Sequence, residues 1–488
     1  MFTRLFWYHR PPGHGVIRTG TGLEGDHRGR GRRKEGEGLA ARLAEAPAMG
    51  HIKTLLLGAL LAQAAHADVS VPTTEFDLPN GLHVILHEDH RVPLVVTNIW
   101  YFVGSANETA GRTGFAHLFE HLLFEGSGHV AEGEFDTLLE ERGGSNNGST
   151  TGDRTNYYIV LPSDSLELTL FLESDRMGYL LDSMTPEVVD GQREVVKNER
   201  RQSYENQPYG LAELRLDELL YPAGHPYHWP TIGYMPDLDA AGYDDVVGFY
   251  KKYYVPGNAS LVIAGDIDPA TVRKQVEGWF SDVPAGARVT KPKPPAVALK
   301  GVTRETMTDE VTLPRLYLSW LTPAVLQPGD AAMDVLADLL AGGKNSRLYK
   351  RLVYDMQAAQ AVEAAQSSGQ LGSSFRIVVE PRPGHTVEEM KKVIDEEIAR
   401  LQAEPPTQRE LDRSLNGIEA AFLSGLEDLG GKADSLNSYY MSTGTPDYFS
   451  KDLARYKALT PADIQQAAQR YLPADARVEL TVMPKEAK

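Results

Sequence analysis

Gly114-Phe-Ala-His117-Leu-Phe-Glu120-His121-Leu-Leu-Phe124 is the stretch on which the reading of this chain turns. It has the pattern of a helix that ends near Gly126. His117 and His121 stand four residues apart, so on a helix they share one face. That spacing lets two imidazoles take two corners of a tetrahedral zinc site. Glu120 lies near the same face, where it reaches a zinc-bound water rather than the zinc. The competing reading is an amphipathic helix with two surface histidines. Leu118, Phe119, Leu122, Leu123 and Phe124 weaken it, because they embed the polar residues among apolar neighbours that satisfy no imidazole. A catalytic zinc normally has three protein ligands and one open position, so a third ligand has to come from elsewhere in the chain.

Composition narrows the choice of ligand. The 488 residues contain no cysteine, which removes disulfides, thiolate zinc sites and cysteine nucleophiles together. Any metal site must use His, Asp and Glu. The formal charge of −18 argues against a general nucleic-acid binder, since phosphate would be repelled. The length suits several domains. Charge is unevenly spread, however. Residues 1–48 hold nine Lys/Arg against five Asp/Glu with little apolar periodicity, and are expected to be a disordered or mis-started extension. Residues 49–67 have a basic start, an apolar run from Leu55 to Ala65, and Ala65-His66-Ala67: the layout of a signal peptide. The run is too short to span a bilayer. The expectation is therefore translation from Met49, cleavage near Ala67, and export to the periplasm or beyond. The chain from Asp68 then carries 39 basic and 62 acidic residues, a net of −23, with no later stretch able to cross a membrane.

Beyond residue 68, strand-like and helix-like segments alternate. Leu82–Leu86, Leu94–Phe102, Thr155–Leu161 and Ala259–Ala264 are β-branched or aromatic runs and read as strands. Asp164–Leu181 and Pro186–Tyr204 read as helices, with Pro186 well placed near a helix start. A proline-rich stretch at 284–297 divides an N-terminal domain, 68–283, from a C-terminal one, 298–488. The second repeats the first at a constant shift, the one that carries Tyr254 onto Tyr471. Tyr254-Val-Pro256 thereby matches Tyr471-Leu-Pro473, each before a strand, Leu122-Leu123 matches Leu339-Leu340, and Ile99–Phe102 falls on the strand Leu316–Trp320. Three placements at one shift predict a duplicated unit and an α+β (α/β) fold.

The order His-x-x-Glu-His is the inverzincin pattern, and with it the chain resembles the pitrilysin/insulinase family of zinc peptidases, in its short, processing-peptidase-like branch. Phe76-Asp-Leu-Pro-Asn-Gly81-Leu-His-Val, Gly104-Ser-Ala-Asn-Glu108, Gly126-Ser and Tyr254-Val-Pro-Gly-Asn-Ala-Ser-Leu-Val-Ile-Ala-Gly265-Asp carry the likeness over nearly all of residues 68–488. The resemblance implies two homologous half-domains, each a mainly antiparallel sheet packed with helices, together forming half of a clamshell. It also implies one Zn2+ per chain, with a ligand glutamate on a helix well downstream of the second histidine. Glu199, 78 positions beyond His121, is the choice; Glu194 is its rival, and five residues apart on a helix the two point in different directions. By the same resemblance Ser145-Asn-Asn147-Gly-Ser-Thr150 corresponds to an edge strand that pairs with substrate backbone, with Asn147 at that edge. The alternative for Asn147 is a plain Asn/Gly turn.

Two departures from the family stand out. Many relatives have a second glutamate seven residues before the ligand glutamate; here it is Gln192, which cannot act as a carboxylate base. Active members also have an Arg and a Tyr, seven residues apart, in the second half. Here Val353 and Gln360 fall at those places, and Arg351 and Tyr354 are out of register. The shift between the halves sets Asp334, Ala337, Asp338 and Asn416 opposite His117, Glu120, His121 and Glu199, so the second half has no zinc site of its own. The implied function is a zinc endopeptidase acting on oligopeptides or unfolded segments, with a homologous zinc-less subunit supplying the Arg and Tyr. The alternatives are a non-catalytic assembly or peptide-binding subunit and a zinc hydrolase of another bond.

Overall fold

The computed structural model describes residues 69–485; the expectations for residues 1–48, for Met49 and for the leader at 49–67 fall outside them. The β-branched runs form strands. Strands β1 (Thr74–Asp77), β2 (His83–Glu88), β3 (Leu94–Tyr101), β4 (Ser145–Thr150), β5 (Thr155–Pro162) and β6 (Ala259–Gly265) make one sheet in the order β1-β2-β6-β3-β5-β4. Only β2 and β6 run parallel. Strands β7 (Thr303–Asp309), β8 (Arg315–Thr322), β9 (Ala359–Ser367), β10 (Ser373–Pro381) and β11 (Val478–Pro484) make a second sheet, β7-β11-β8-β10-β9, in which only β7 and β11 are parallel. The shift that sets Tyr254 on Tyr471 carries β2, β6, β3, β5 and β4 onto segments overlapping β7, β11, β8, β10 and β9, with the spatial order kept. The fold is α+β, with two homologous halves.

In the first half, helices α1 (Phe115–Leu122) and α2 (Glu134–Glu140) lie between β3 and β4, and α3 (Leu166–Ser183), α4 (Pro186–Arg200) and α5 (Gly210–Leu220) between β5 and β6. One face of the first sheet, with Val84, Leu86, Val95, Ile99 and Leu261, packs on Phe115, Leu118 and Leu122 of α1 and Leu170 and Leu180 of α3. The other face, with Ile85, Val96, Val262 and Ala264, packs on Ala433, Leu436 and Tyr439 of the helix Leu429–Thr443, which belongs to the second half. Both faces being covered, every residue of β6 is buried, which is why it reads as an unbroken apolar run.

The loan is returned. Ala212, Leu216 and Leu220 of α5 pack on Tyr317, Val478, Leu480 and Val482 of the second sheet. Arg376 of β10 pairs with Glu213, and the Arg215 guanidinium bridges to Glu305 of β7 at 2.8 Å. The same shift sets α5 onto a segment overlapping the helix Leu429–Thr443, so each half lends the equivalent helix to the other's sheet. Polar bonds lock the second of these crossings: Ser260 Oγ donates to Asn437 Oδ1 at 2.6 Å, and Asn437 Nδ2 to the Asn98 carbonyl at 2.8 Å.

Candidate metal centre and active site

Helix α1 starts without a side-chain cap of its own. Gly114 precedes it at φ 87°, in the left-handed region, with the Gly233 backbone and the Leu238 side chain closely packed against it. The free N–H groups of the first turn are taken by Glu108, whose carboxylate accepts from Gly114 N at 3.0 Å and Ala116 N at 2.8 Å. Burial pushes the Glu108 carboxyl well up, opposed by these backbone bonds. Farther along, Tyr157 Oη donates to the Phe119 carbonyl at 2.8 Å. Helix α1 is thereby held at its start and its middle, with Phe115, Leu118, Phe119 and Leu122 in the core and His117, Glu120 and His121 on the opposite face.

Helix α4 lies against that face. Thr185 caps it, accepting from Val188 N at 3.3 Å, and Pro186 occupies its first turn. Val189 and Val196 are buried, which turns Gln192 and Glu199, two turns apart, toward α1. Glu199 Oε2 lies 3.6 Å from His117 Nε2 and 3.1 Å from His121 Nε2. One ligand atom from each of the three residues lies within 4.8 Å of the others, the sole such group of three among the described residues. Glu194 is turned away and pairs with Lys197 at 2.7 Å.

These residues fit a zinc ion. Tetrahedral ligands at about 2.0–2.1 Å from zinc stand about 3.3–3.4 Å apart, between the two observed separations. Burial holds the His117 pKa below its ordinary value, which keeps a lone pair free for a cation. Neither ring nitrogen of His117 makes a hydrogen bond among the described residues, and its Nδ1 is buried. At 3.6 Å from Glu199 Oε2 the Nε2 is too far for a hydrogen bond, and a cation shared with Glu199 would bridge that gap on the Nε2 side of the ring.

Glu120 faces the edge of the sheet. Thr150 Oγ1 donates to its Oε2 at 2.6 Å, and Gly148 lies close enough that a Cβ there would come within 3.2 Å of Glu120 Cγ. Asn147 sits on β4, which has β5 on one side and, among the described residues, no strand on the other. Gln192 donates to Glu125 Oε1 at 2.6 Å, so a carboxylate does stand beside this position, on the α1 side. Burial and the charge of Glu132 raise the Glu125 pKa. In the second half, Arg351 is committed to Glu396 and Glu397 of its own half, Val353 packs partly buried on the second core, and Gln360 is exposed on β9. Asp334 accepts from Tyr456 Oη at 2.7 Å and Asp338 from Ser414, so the positions equivalent to the two histidines are hydrogen-bonded acids. Sequence reading gave no role to Thr150, Glu108 or Glu125. Glu108 and Thr150 lay inside quoted motifs, but only their packing on α1 reveals what they touch.

Residues 83–224 match the family model described as insulinase (Peptidase family M16), and residues 240–418 the model described as Peptidase M16 inactive domain. Over 422 residues the chain is 30% identical to the zinc protease PqqE of Helicobacter pylori, covering 84% of this chain and 93% of that protein. The crystal structure of a protease from Helicobacter pylori superposes with a TM-score of 0.80 at 27% identity, covering 85% of this chain and 100% of that one. The periplasmic protease PqqL from Escherichia coli shares the fold at a TM-score of 0.71 and 18% identity, with 86% of this chain matching 48% of PqqL. By its sequence and its fold, then, the chain belongs to the insulinase family of peptidases, family M16.

Proposed function

We propose that the chain is a zinc metalloendopeptidase that cleaves oligopeptides or unfolded segments, with His117, His121 and Glu199 holding the metal and Glu120 acting as general base. The observation that carries this reading is the meeting of three ligands with a hydrogen-bonded glutamate against an open strand edge. Zinc bound there would polarise the scissile carbonyl and acidify the water beside it. Glu120 Oε2 is fixed by Thr150, and its other oxygen makes no hydrogen bond among the described residues. That oxygen takes a proton from the attacking water as the water adds to the carbonyl carbon. As the C–N bond breaks, Glu120 delivers the proton to the departing nitrogen. Strand β4 aligns the substrate by backbone pairing, which asks little of side-chain sequence.

The cationic side chain expected opposite the zinc is absent from this chain's own candidates, since Arg351 is engaged elsewhere. We therefore assign that role to a homologous zinc-less subunit. Export is part of the same reading: residues 49–67 act as a signal peptide and the working chain begins near Asp68. The domains are then 68–283 and 298–488 with a linker between, and the fold neighbour PqqL is itself a periplasmic protease. Among the described residues no helix is long and apolar enough to cross a membrane.

Glu120→Gln tests the mechanism. It should retain one zinc per chain and lose peptide cleavage by at least about 100-fold; cleavage at the wild-type rate refutes the assignment. The match of residues 240–418 to an inactive-domain model favours one other reading, a peptide-binding subunit without catalysis. Purified wild-type chain that holds no zinc and cleaves nothing, with or without its partner, would establish that reading instead.

A further inference from the structure

The ladder between β4 and β5 decides which backbone groups of the edge are offered to a peptide. Thr151 N donates to the Arg154 carbonyl at 2.9 Å, and opposite residues in an antiparallel pair alternate between bonded and non-bonded. Counting back from Thr151, residues 149, 147 and 145 turn their N–H and C=O toward β5. Asn146, Gly148 and Thr150 turn theirs to the open side. Gly148 is the central one of these three, and it is also the residue packed against Glu120.

The outward N–H of Gly148 is not free. It donates to Oδ1 of Asn147, its own neighbour, at 2.8 Å. An exposed side chain thus covers the edge donor nearest the proposed general base. Asn146 is held differently, with Nδ2 on Asp136 Oδ1 at 2.7 Å, so the capping of Gly148 is particular to Asn147. Exposed strand edges invite indiscriminate pairing with other chains, and a side chain on the donor blunts the edge.

We propose that Asn147 is a displaceable cap on the substrate-pairing edge, closing the Gly148 N–H until a peptide carbonyl takes its place. The inference rests on the peptidase reading only in taking β4 as the place where the peptide lies. A peptide that engages the outward groups of Asn146 and Thr150 together gains enough to displace the side chain. A chance strand touching Gly148 alone does not. Asn147 is in this sense a specificity-determining residue, selecting extended chains that pair along the whole of β4.

The test uses the full zinc-loaded chain and two variants, Asn147→Ala and Asn147→Asp. Residue-resolved hydrogen exchange of the free protein reads the cap directly, without any peptide: Asn147→Ala should speed exchange at Gly148 by about tenfold. Binding is then measured by fluorescence anisotropy in the Glu120→Gln background, with an unstructured, lysine-rich peptide long enough to span β4. Losing the cap should tighten binding about three- to tenfold, the worth of one net hydrogen bond. Asn147→Asp, whose carboxylate holds the N–H more strongly, should weaken it. Unchanged exchange at Gly148, weaker binding by Asn147→Ala, or no peptide binding by any variant overturns the proposal. A failure of the peptidase reading looks different: wild type binds the peptide and leaves it intact.

Discussion

Thr150 offers the sharpest test of how the active site is built. Its Oγ1 donates to Glu120 Oε2 at 2.6 Å from a part-buried position, with Thr155 Oγ1 at 3.4 Å as its other neighbour. Thr150→Val keeps the branched shape and removes the donor. A hydrogen bond to a charged acceptor contributes about 1.5–3 kcal/mol. The site faces water on one side, so solvent replaces part of this and the lower end applies. A loss of about 1.4 kcal/mol from the reacting state is tenfold in rate. The expectation is therefore a kcat about tenfold lower with KM within about twofold, because the β4 backbone proposed to pair with substrate is untouched. Thr150→Ser, which restores the hydroxyl, should recover most of the rate. Steady-state kinetics on a quenched-peptide set checks this, with zinc content and the melting curve of each variant as controls. If Thr150→Val cleaves within about twofold of wild type, or if Thr150→Ser is equally slow, Thr150 does not position Glu120.

Three further perturbations probe the scaffold. Gln192→Glu puts a second carboxylate at the 2.6 Å contact with Glu125, a group whose pKa is already raised by burial and by Glu132. Each carboxyl of the pair then has a folded pKa above its unfolded value. Their contribution is intact below about pH 4 and is lost as pH rises through the folded values. The variant's melting temperature should match wild type in acid and fall behind it at pH 8; a deficit that shrinks as pH rises would contradict this. Asn437→Ala removes the two bonds that Asn437 makes between the exchanged helix and the first sheet and should cost about 2–3 kcal/mol in urea unfolding. A cost under about 0.5 kcal/mol would show that these two bonds do not hold the crossing. Gly114→Ala forces a side chain into positive φ, 2.9 Å from Leu238 Cδ2 and 3.0 Å from the Ile232 carbonyl. It should destabilise by about 1–3 kcal/mol and lower zinc retention, since α1 begins there; wild-type stability and zinc content would refute the close fit.

Much of the first half was open to direct reading. Its strands β2, β3, β5 and β6 carry β-branched and aromatic runs, and α3 and α4 carry clear helical patterns, because each segment buries one face against its own half. The helix α5 went unread. Its apolar residues face the second sheet, and its charged residues Glu213 and Arg215 pair with Arg376 and Glu305, far away in the chain. Nothing local distinguishes such a helix from a solvated one. The same holds for Gln192: as a sequence difference it signified a lost carboxylate, whereas the fold supplies Glu125 as its partner.

The sequence alone determined the face of α1. Helical periodicity puts His117 and His121 on one side and Glu120 beside them, and this follows from helix geometry without any knowledge of the rest. It also excluded cysteine from the metal centre and revealed the duplicated halves through a constant shift. Only the tertiary structure decided what meets that face. Glu199 reaches both histidines while Glu194 turns to Lys197, Thr150 arrives from a strand to hold Glu120, and Asn147 covers the edge donor beside it. The contacts of Glu199 and Thr150 join segments separated by tens of residues. They are set by how buried faces pack against one another, and packing between distant segments leaves no periodic trace in the chain.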